Sequence, residues 1–159
     1  MKIAVFPGSF DPVTLGHMSI VRRASKLFDK VYVCAMVNAE KKHGFFSTKE
    51  RLEMLRGSVE EFPNVEADVW TGLLTDYAKS KGAEYLVKGV RNGTDFDQEY
   101  ALAQINQGLY APLETVLLCA EPCYVYFSST MAREMLKYHQ DIDRCVPAFA
   151  ADYMKKKGY

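Results

Sequence analysis

The chain has 159 residues, 48% of them hydrophobic and 25% charged, with Lys+Arg and Asp+Glu at 20 each. That size suits one domain spanning residues 1–159, which can bury a core without disulfide or metal support. A formal net charge of +0 lacks the basic excess of a duplex nucleic-acid binder, and no run reaches the ~18 apolar residues of a membrane helix, so neither nucleic acid nor membrane is expected as a partner.

Lys2–Phe6 (KIAVF), ended by Pro7-Gly8, reads as a short buried strand and is too short for a secretory leader. Gly16–Phe28 follows with Ile20, Val21, Ala24, Leu27 and Phe28 at helical spacing. Val31–Val37 is a second buried strand, and residues 38–46 form a polar, basic loop. Ser47 or Thr48 caps the next helix, with Glu50 and Arg51 in its first turn. Val65–Trp70 is a third strand; Leu73–Ser80 is a short helix stopped near Gly82. Tyr85–Lys88 is a fourth strand, ended by Gly89, and Asp95–Leu109 a long amphipathic helix. Thr115–Cys119 is a fifth strand, Ser128 or Ser129 caps a helix to about Tyr138, and Pro147–Lys157 is the last helix. Strands alternating with helices imply right-handed βαβ units, a parallel sheet and the α/β class. In such sheets ligands gather outside the carboxyl ends of the strands.

The four cysteines carry no metal pattern. Cys34 and Cys119 sit in apolar runs and read as small hydrophobes, while Cys119 and Cys123 lack partners at metal spacing. Reduced thiols point to a cytoplasmic protein, and no metal ligands are expected. His43 and His139 read as solvated side chains.

The chemistry concentrates where strands end. Between the first strand and first helix lies Gly8-Ser9-Phe10-Asp11-Pro12-Val13-Thr14-Leu15-Gly16-His17. Gly8 permits a tight turn, Asp11-Pro12 starts another, and Gly16 leaves room beside the helix start. His17 falls in the first helical turn, near free N–H groups and the positive dipole end, a natural phosphate site. The glycine spacing and the absence of Lys-Ser/Thr exclude both a Walker loop and a dinucleotide GxGxxG. Lys41 or Lys42 after the second strand is a candidate phosphate clamp. Lys88-Gly89-Val90-Arg91 sets two cations around a glycine at the fourth strand's end. Ser128, Ser129 and Thr130 place hydroxyls and free N–H groups at a helix start, with Arg133 one turn on, as an anion cradle.

Thr14-Leu15-Gly16-His17 resembles the TxGH signature of the nucleotidyltransferase superfamily, and the wider GSFDP…GH string is similar to bacterial phosphopantetheine adenylyltransferases, with the likeness extending along nearly the whole chain. The resemblance implies a Rossmann-like, five-stranded parallel sheet with helices on both faces. It implies transfer of the adenylyl group of ATP to 4′-phosphopantetheine, giving dephospho-coenzyme A and pyrophosphate in coenzyme A synthesis. By resemblance His17 and Lys41 are catalytic; Ser9, Lys41, Leu74 and Lys88 bind the acceptor. ATP would lie on Ser9, Phe10, His17, Gly89, Val90, Arg91, Glu99, Tyr124, Val125, Tyr126, Phe127, Ser128, Ser129 and Thr130, accompanied by Mg²⁺. Asn106 looks like a family position; Leu15, Gln98 and Phe127 depart from the usual pattern. A homohexamer and feedback by coenzyme A are further family expectations.

The acceptor phosphate is an ionised nucleophile near neutral pH, and no histidine–acid pattern activates Ser9, Ser128 or Ser129. Direct in-line attack on the α-phosphorus is therefore expected, with catalysis by positioning and charge stabilisation. Alternatives are a related transferase, such as a cytidylyltransferase or a nicotinamide-mononucleotide adenylyltransferase, a non-catalytic nucleotide-binding module, and a nucleic-acid module.

Overall fold

A computed structural model describes residues 1–37 and 44–159 of the chain. Its strands are β1 (Ile3–Gly8), β2 (Lys30–Val37), β3 (Val65–Thr71), β4 (Tyr85–Val90) and β5 (Glu114–Cys119). Its helices are α1 (Leu15–Leu27), α2 (Thr48–Val59), α3 (Leu74–Lys81), α4 (Gly93–Leu109), α5 (Ser129–Lys137) and α6 (Ala148–Lys157), with a 3₁₀ turn at Pro122–Tyr124. All strands pair in parallel in the order β3-β2-β1-β4-β5. The chain builds outward from β1 to β3, then crosses back to lay β4 on the other side of β1. That reversal makes the carboxyl ends of β1 and β4 the switch point, where such sheets open a crevice.

Strand alternation sends side chains to two layers. Ala4 and Phe6 of β1, Val31, Val33 and Ala35 of β2, and Val87 of β4 join a large core with α1, α2, α5 and α6. Val5, Cys34 and Leu86 point the other way, into a smaller core with Tyr77 and Ala78 of α3.

Several expectations change. β1 runs on through Pro7 and Gly8, paired with Cys34 and Ala35 of β2. Its ladder with β4 ends at Val5–Leu86, so Pro7 sits where the strand has a partner on one side only, the position that proline tolerates. The amphipathic reading of Asp95–Leu109 fails: α4 begins at Gly93, capped by Asn92, and none of its residues is buried. Phe96 and Tyr100 stack their rings at one end, Leu102, Ile105 and Leu109 lie exposed further along, and these apolar residues do not fall on one side of the helix. Cys119 is exposed rather than a core hydrophobe, because it is the last residue of an edge strand. Ser47, not Thr48, caps α2, reciprocally with Glu50, and Ser128 caps α5.

Candidate active site

The β1–α1 corner is built around His17. Thr14 caps α1; its hydroxyl accepts the His17 N–H at 3.3 Å, and its own N–H donates to His17 Nδ1 at 3.0 Å. Histidine thus takes the part that Glu or Gln plays in a capping box. An Nδ1 that accepts a backbone proton leaves the ring proton of the neutral imidazole on Nε2. Burial, then the charges of Arg91 and Lys88, lower the His17 pKa from 6.5 to about 4, so the ring is a neutral Nε2–H donor at neutral pH.

Packing fixes that ring. Phe10 lies edge-on to it, with centroids 4.9 Å apart and planes at 70°, and itself meets Phe6 edge-on at 5.4 Å. Phe10 holds φ at 45°, a left-handed conformation costly for a bulky side chain, and is only 1% exposed. Distant residues brace the loop. Arg51 donates to the Ser9 carbonyl at 2.9 Å, Arg133 to the Asp11 carbonyl at 2.7 Å, and the Ser129 hydroxyl to the Pro12 carbonyl at 2.8 Å. The buried Asp11 carboxylate accepts the N–H groups of Phe45 and Phe46, both at 2.8 Å.

Across the crevice, the β4–α4 corner carries charge. Lys88 pairs with Glu99 at 3.1 Å. Arg91 pairs with Asp95 at 2.9 Å, and hydrogen bonding to Arg91 holds the Asp95 carboxyl below its usual range. A third wall comes from the segment before α5. Ser19 donates to Glu121 at 2.6 Å and Arg23 to the Cys119 carbonyl at 2.6 Å, tying this segment to α1. A Cβ on Gly16 would meet the Phe127 carbonyl at 3.5 Å and Tyr124 Cβ at 3.7 Å, ordinary van der Waals contact, so this wall already lies close against the helix start.

These three walls enclose a cavity of about 430 Å³. Of the expected site residues, Ser9, His17, Lys88, Gly89, Arg91, Glu99, Tyr124, Phe127, Ser128, Ser129 and Thr130 line it. Gln98 lines it as well, whereas Leu15 uses its N–H on the Cys145 carbonyl at 2.9 Å. Phe10 lies behind His17. Val90, Val125, Tyr126 and Leu74 are outside the lining; Tyr126 is 77% exposed, and Leu74 packs against the smaller core at the start of α3. Asn106 is a half-buried residue of α4 outside the lining. Lys41, Lys42 and His43 fall outside the described residues. Arg133, expected beside the anion cradle at the start of α5, lines the cavity too; so does Asp95, which the sequence left without a role in the site although Arg91 and Asp95 stand at the i,i+4 spacing of a charge pair. The bracing by Arg51 and Asp11 has no local signal.

A parallel sheet with a nucleotide-sized crevice at its switch point, a helix-start histidine and flanking cations defines a nucleotidyltransferase-type site. The model of the cytidylyltransferase-like family matches residues 5–135. A phosphopantetheine adenylyltransferase of Corynebacterium diphtheriae is 43% identical over 98% of each chain. Those of Caldanaerobacter subterraneus and Alkaliphilus metalliredigens are each 39% identical over 99% of this chain, covering 98% and 99% of their own. A solved structure from Vibrio parahaemolyticus, assigned as a nicotinate-nucleotide adenylyltransferase, superposes with a TM-score of 0.74 at 19% identity, covering 99% of this chain and 94% of its own; at that identity it speaks to the fold alone. The chain belongs to the phosphopantetheine adenylyltransferases of the cytidylyltransferase-like family.

Proposed function

We infer that this protein transfers the adenylyl group of ATP to 4′-phosphopantetheine, releasing dephospho-coenzyme A and pyrophosphate. The observation that carries the chemistry is one cavity joining the His17 ring, the cations Lys88 and Arg91, and the N-terminus of α5. Full-length kinship to phosphopantetheine adenylyltransferases supports the choice of acceptor.

The acceptor phosphate brings its own negative oxygen. That oxygen forms a bond to the α-phosphorus while the bond to the bridging oxygen breaks, and the electron pair leaves with pyrophosphate. No proton need be removed, in keeping with a histidine whose pKa is too low for a base at neutral pH. His17 instead donates from Nε2 to the α-phosphate as charge grows there. A neutral donor held by packing needs no reorganisation during the step, which is what electrostatic stabilisation requires. Ser9 and Lys88 hold the acceptor phosphate, which competes with Glu99 for the ammonium group, and Lys41 is the further cation proposed for that phosphate and for catalysis. Leu74 offers its backbone to the pantetheine arm.

Arg91 and the α5 N-terminus hold the leaving phosphates. The hydroxyls there are engaged in the fold: Ser128 Oγ accepts from Met131 N–H at 3.1 Å, and Ser129 donates to Pro12. The backbone N–H groups of Ser129 and Thr130, the first two of the helix, are left as the anion's partners. The rest of the nucleotide lies along Gly89–Arg91, Glu99 and Tyr124–Phe127.

Mg²⁺ enters with the nucleotide. Among the described residues no group of three His, Cys, Asp or Glu could hold a metal, and the cavity carboxylates are engaged by Lys88 and Arg91. Bound with the nucleotide, the ion would neutralise part of the charge on its phosphates. A homohexamer is proposed from the family resemblance, and the uncovered apolar residues of α4 offer a surface for contact between copies. Coenzyme A, which resembles the product, would inhibit by occupying this same crevice. The four free thiols accord with a cytoplasmic setting; among the described residues, no helix is long and apolar enough to cross a membrane.

The test is product analysis with ATP, Mg²⁺ and 4′-phosphopantetheine. Dephospho-coenzyme A and pyrophosphate should appear in equal amounts. Turnover only with another phosphorylated acceptor, or with CTP in place of ATP, would overturn the assignment, and tight ATP binding without turnover on any acceptor would support a non-catalytic module.

A further inference from the structure

Two carboxylates in a cavity built for polyanions call for an explanation. Asp95 and Glu99 stand one turn apart on α4 and both line the cavity, where each would repel phosphate. We propose that Asp95 is a positioning residue that fixes the Arg91 guanidinium so that its remaining N–H groups face the leaving phosphates. This rests on the reading of Arg91 given above.

The geometry is a fork on a fork. Asp95 Oδ2 accepts from Arg91 Nε at 2.9 Å and from the Arg91 backbone N–H at 3.0 Å, while Oδ1 accepts from Nη2 at 3.4 Å. One carboxylate thereby holds both the chain and the side chain of Arg91. Asp95 is itself anchored, its N–H donating to Asn92 Oδ1 at 2.9 Å. Of the five N–H donors of a guanidinium, the two on Asp95 leave about three for a ligand, both on Nη1 and one on Nη2. The Arg91 side chain is 43% exposed, against 21% for Asp95. Without its partner, so exposed an arginine would sample many rotamers, and ordering it would fall on the nucleotide. A carboxylate that costs some repulsion but pre-aims a bidentate cation offsets that loss.

The rival account is that Asp95 only complements the helix dipole at the start of α4. It makes a different forecast, because the dipole is indifferent to Arg91. Asp95→Asn keeps the shape but turns one arm of the fork into a donor facing Nη2, so the clasp opens. Pyrophosphate release should be measured for the wild type, Asp95→Asn, Arg91→Ala and the double variant, with thermal unfolding of each. Asp95→Asn should lower kcat/KM for ATP by about 10- to 100-fold, and the double variant should match Arg91→Ala alone. An equal further loss in the Arg91→Ala background, or an Asp95→Asn enzyme as active as the wild type, would overturn the proposal. If Asp95→Asn unfolds, Asp95→Ser, which keeps a polar first-turn side chain, is measured in its place. Arg91→Ala with wild-type kinetics would refute the role of Arg91 itself, a distinct failure from an impaired Arg91→Ala beside an unaffected Asp95→Asn.

Discussion

The two strand-to-helix corners that face each other across the cavity are held in place by different physics. The β1–α1 corner is fixed by packing and by long-range hydrogen bonds: Phe10 against the His17 ring, and Arg51, Arg133 and Ser129 on successive carbonyls of one loop. Its functional group is neutral. The β4–α4 corner is half-open, begins a helix with no buried residue, and is held by two ion pairs. Its functional groups are cations. A neutral donor at the point of reaction gains from a rigid setting, where packing holds its hydrogen bond in place. Cations that receive and release phosphates work better near water, where exchanging one carboxylate for another anion has a small penalty.

The largest test of that contrast is His17→Ala. Loss of a donor aimed at transition-state charge should lower kcat on the order of 10²–10³-fold, with KM for ATP little changed, as read from steady-state pyrophosphate release. A loss below tenfold would move the reacting centre elsewhere. Asp11→Ala probes the bracing instead. It leaves two N–H groups, one of them buried, without their acceptor, and should cost about 2–4 kcal/mol in denaturant unfolding; an unchanged midpoint would show that the loop needs no brace.

The pH response sharpens the comparison further. In the unfolded chain His17 takes up a proton near 6.5, whereas the folded ring stays neutral down to about 4. Between those values the unfolded state binds more protons, so His17 makes the protein less stable as pH falls and its contribution flattens above 6.5. Turnover should likewise decline on acidification as the acceptor phosphate protonates near ~6. A rate that climbs as pH falls through 6.5 would mean that an imidazolium does the work. The smallest effect belongs to the outer side of α4. Tyr100→Glu should alter the stability of the isolated chain by no more than about 0.5 kcal/mol, yet lower the sedimentation coefficient if copies assemble there.

Much of the candidate site was legible because its residues cluster in short strings at strand ends. The loop from Gly8 to His17, the Lys88–Arg91 segment and the Ser128–Thr130 helix start are each local, and parallel sheets gather such ends on one side. What was not legible depends on strand order or on distant pairs. Cys119 in its apolar run looked like core, and only the edge position of β5 exposes it. Where the Phe10 ring goes was not legible either; its backbone conformation turns that ring against His17. Asp11 meets Phe45 and Phe46 across 34 and 35 residues, beyond any local pattern. Leucines, isoleucine and aromatics in α4 suggested a buried face, but a helix whose apolar residues point several ways has no single face to bury.

The account turns on His17 being a neutral ring with its proton on Nε2. Nitrogen-15 NMR of the labelled imidazole, followed as pH is lowered, observes both properties at once. The account expects the Nε2–H tautomer at pH 7 and protonation only near 4. A ring that titrates near 6.5, or that carries its proton on Nδ1 at neutral pH, would contradict it.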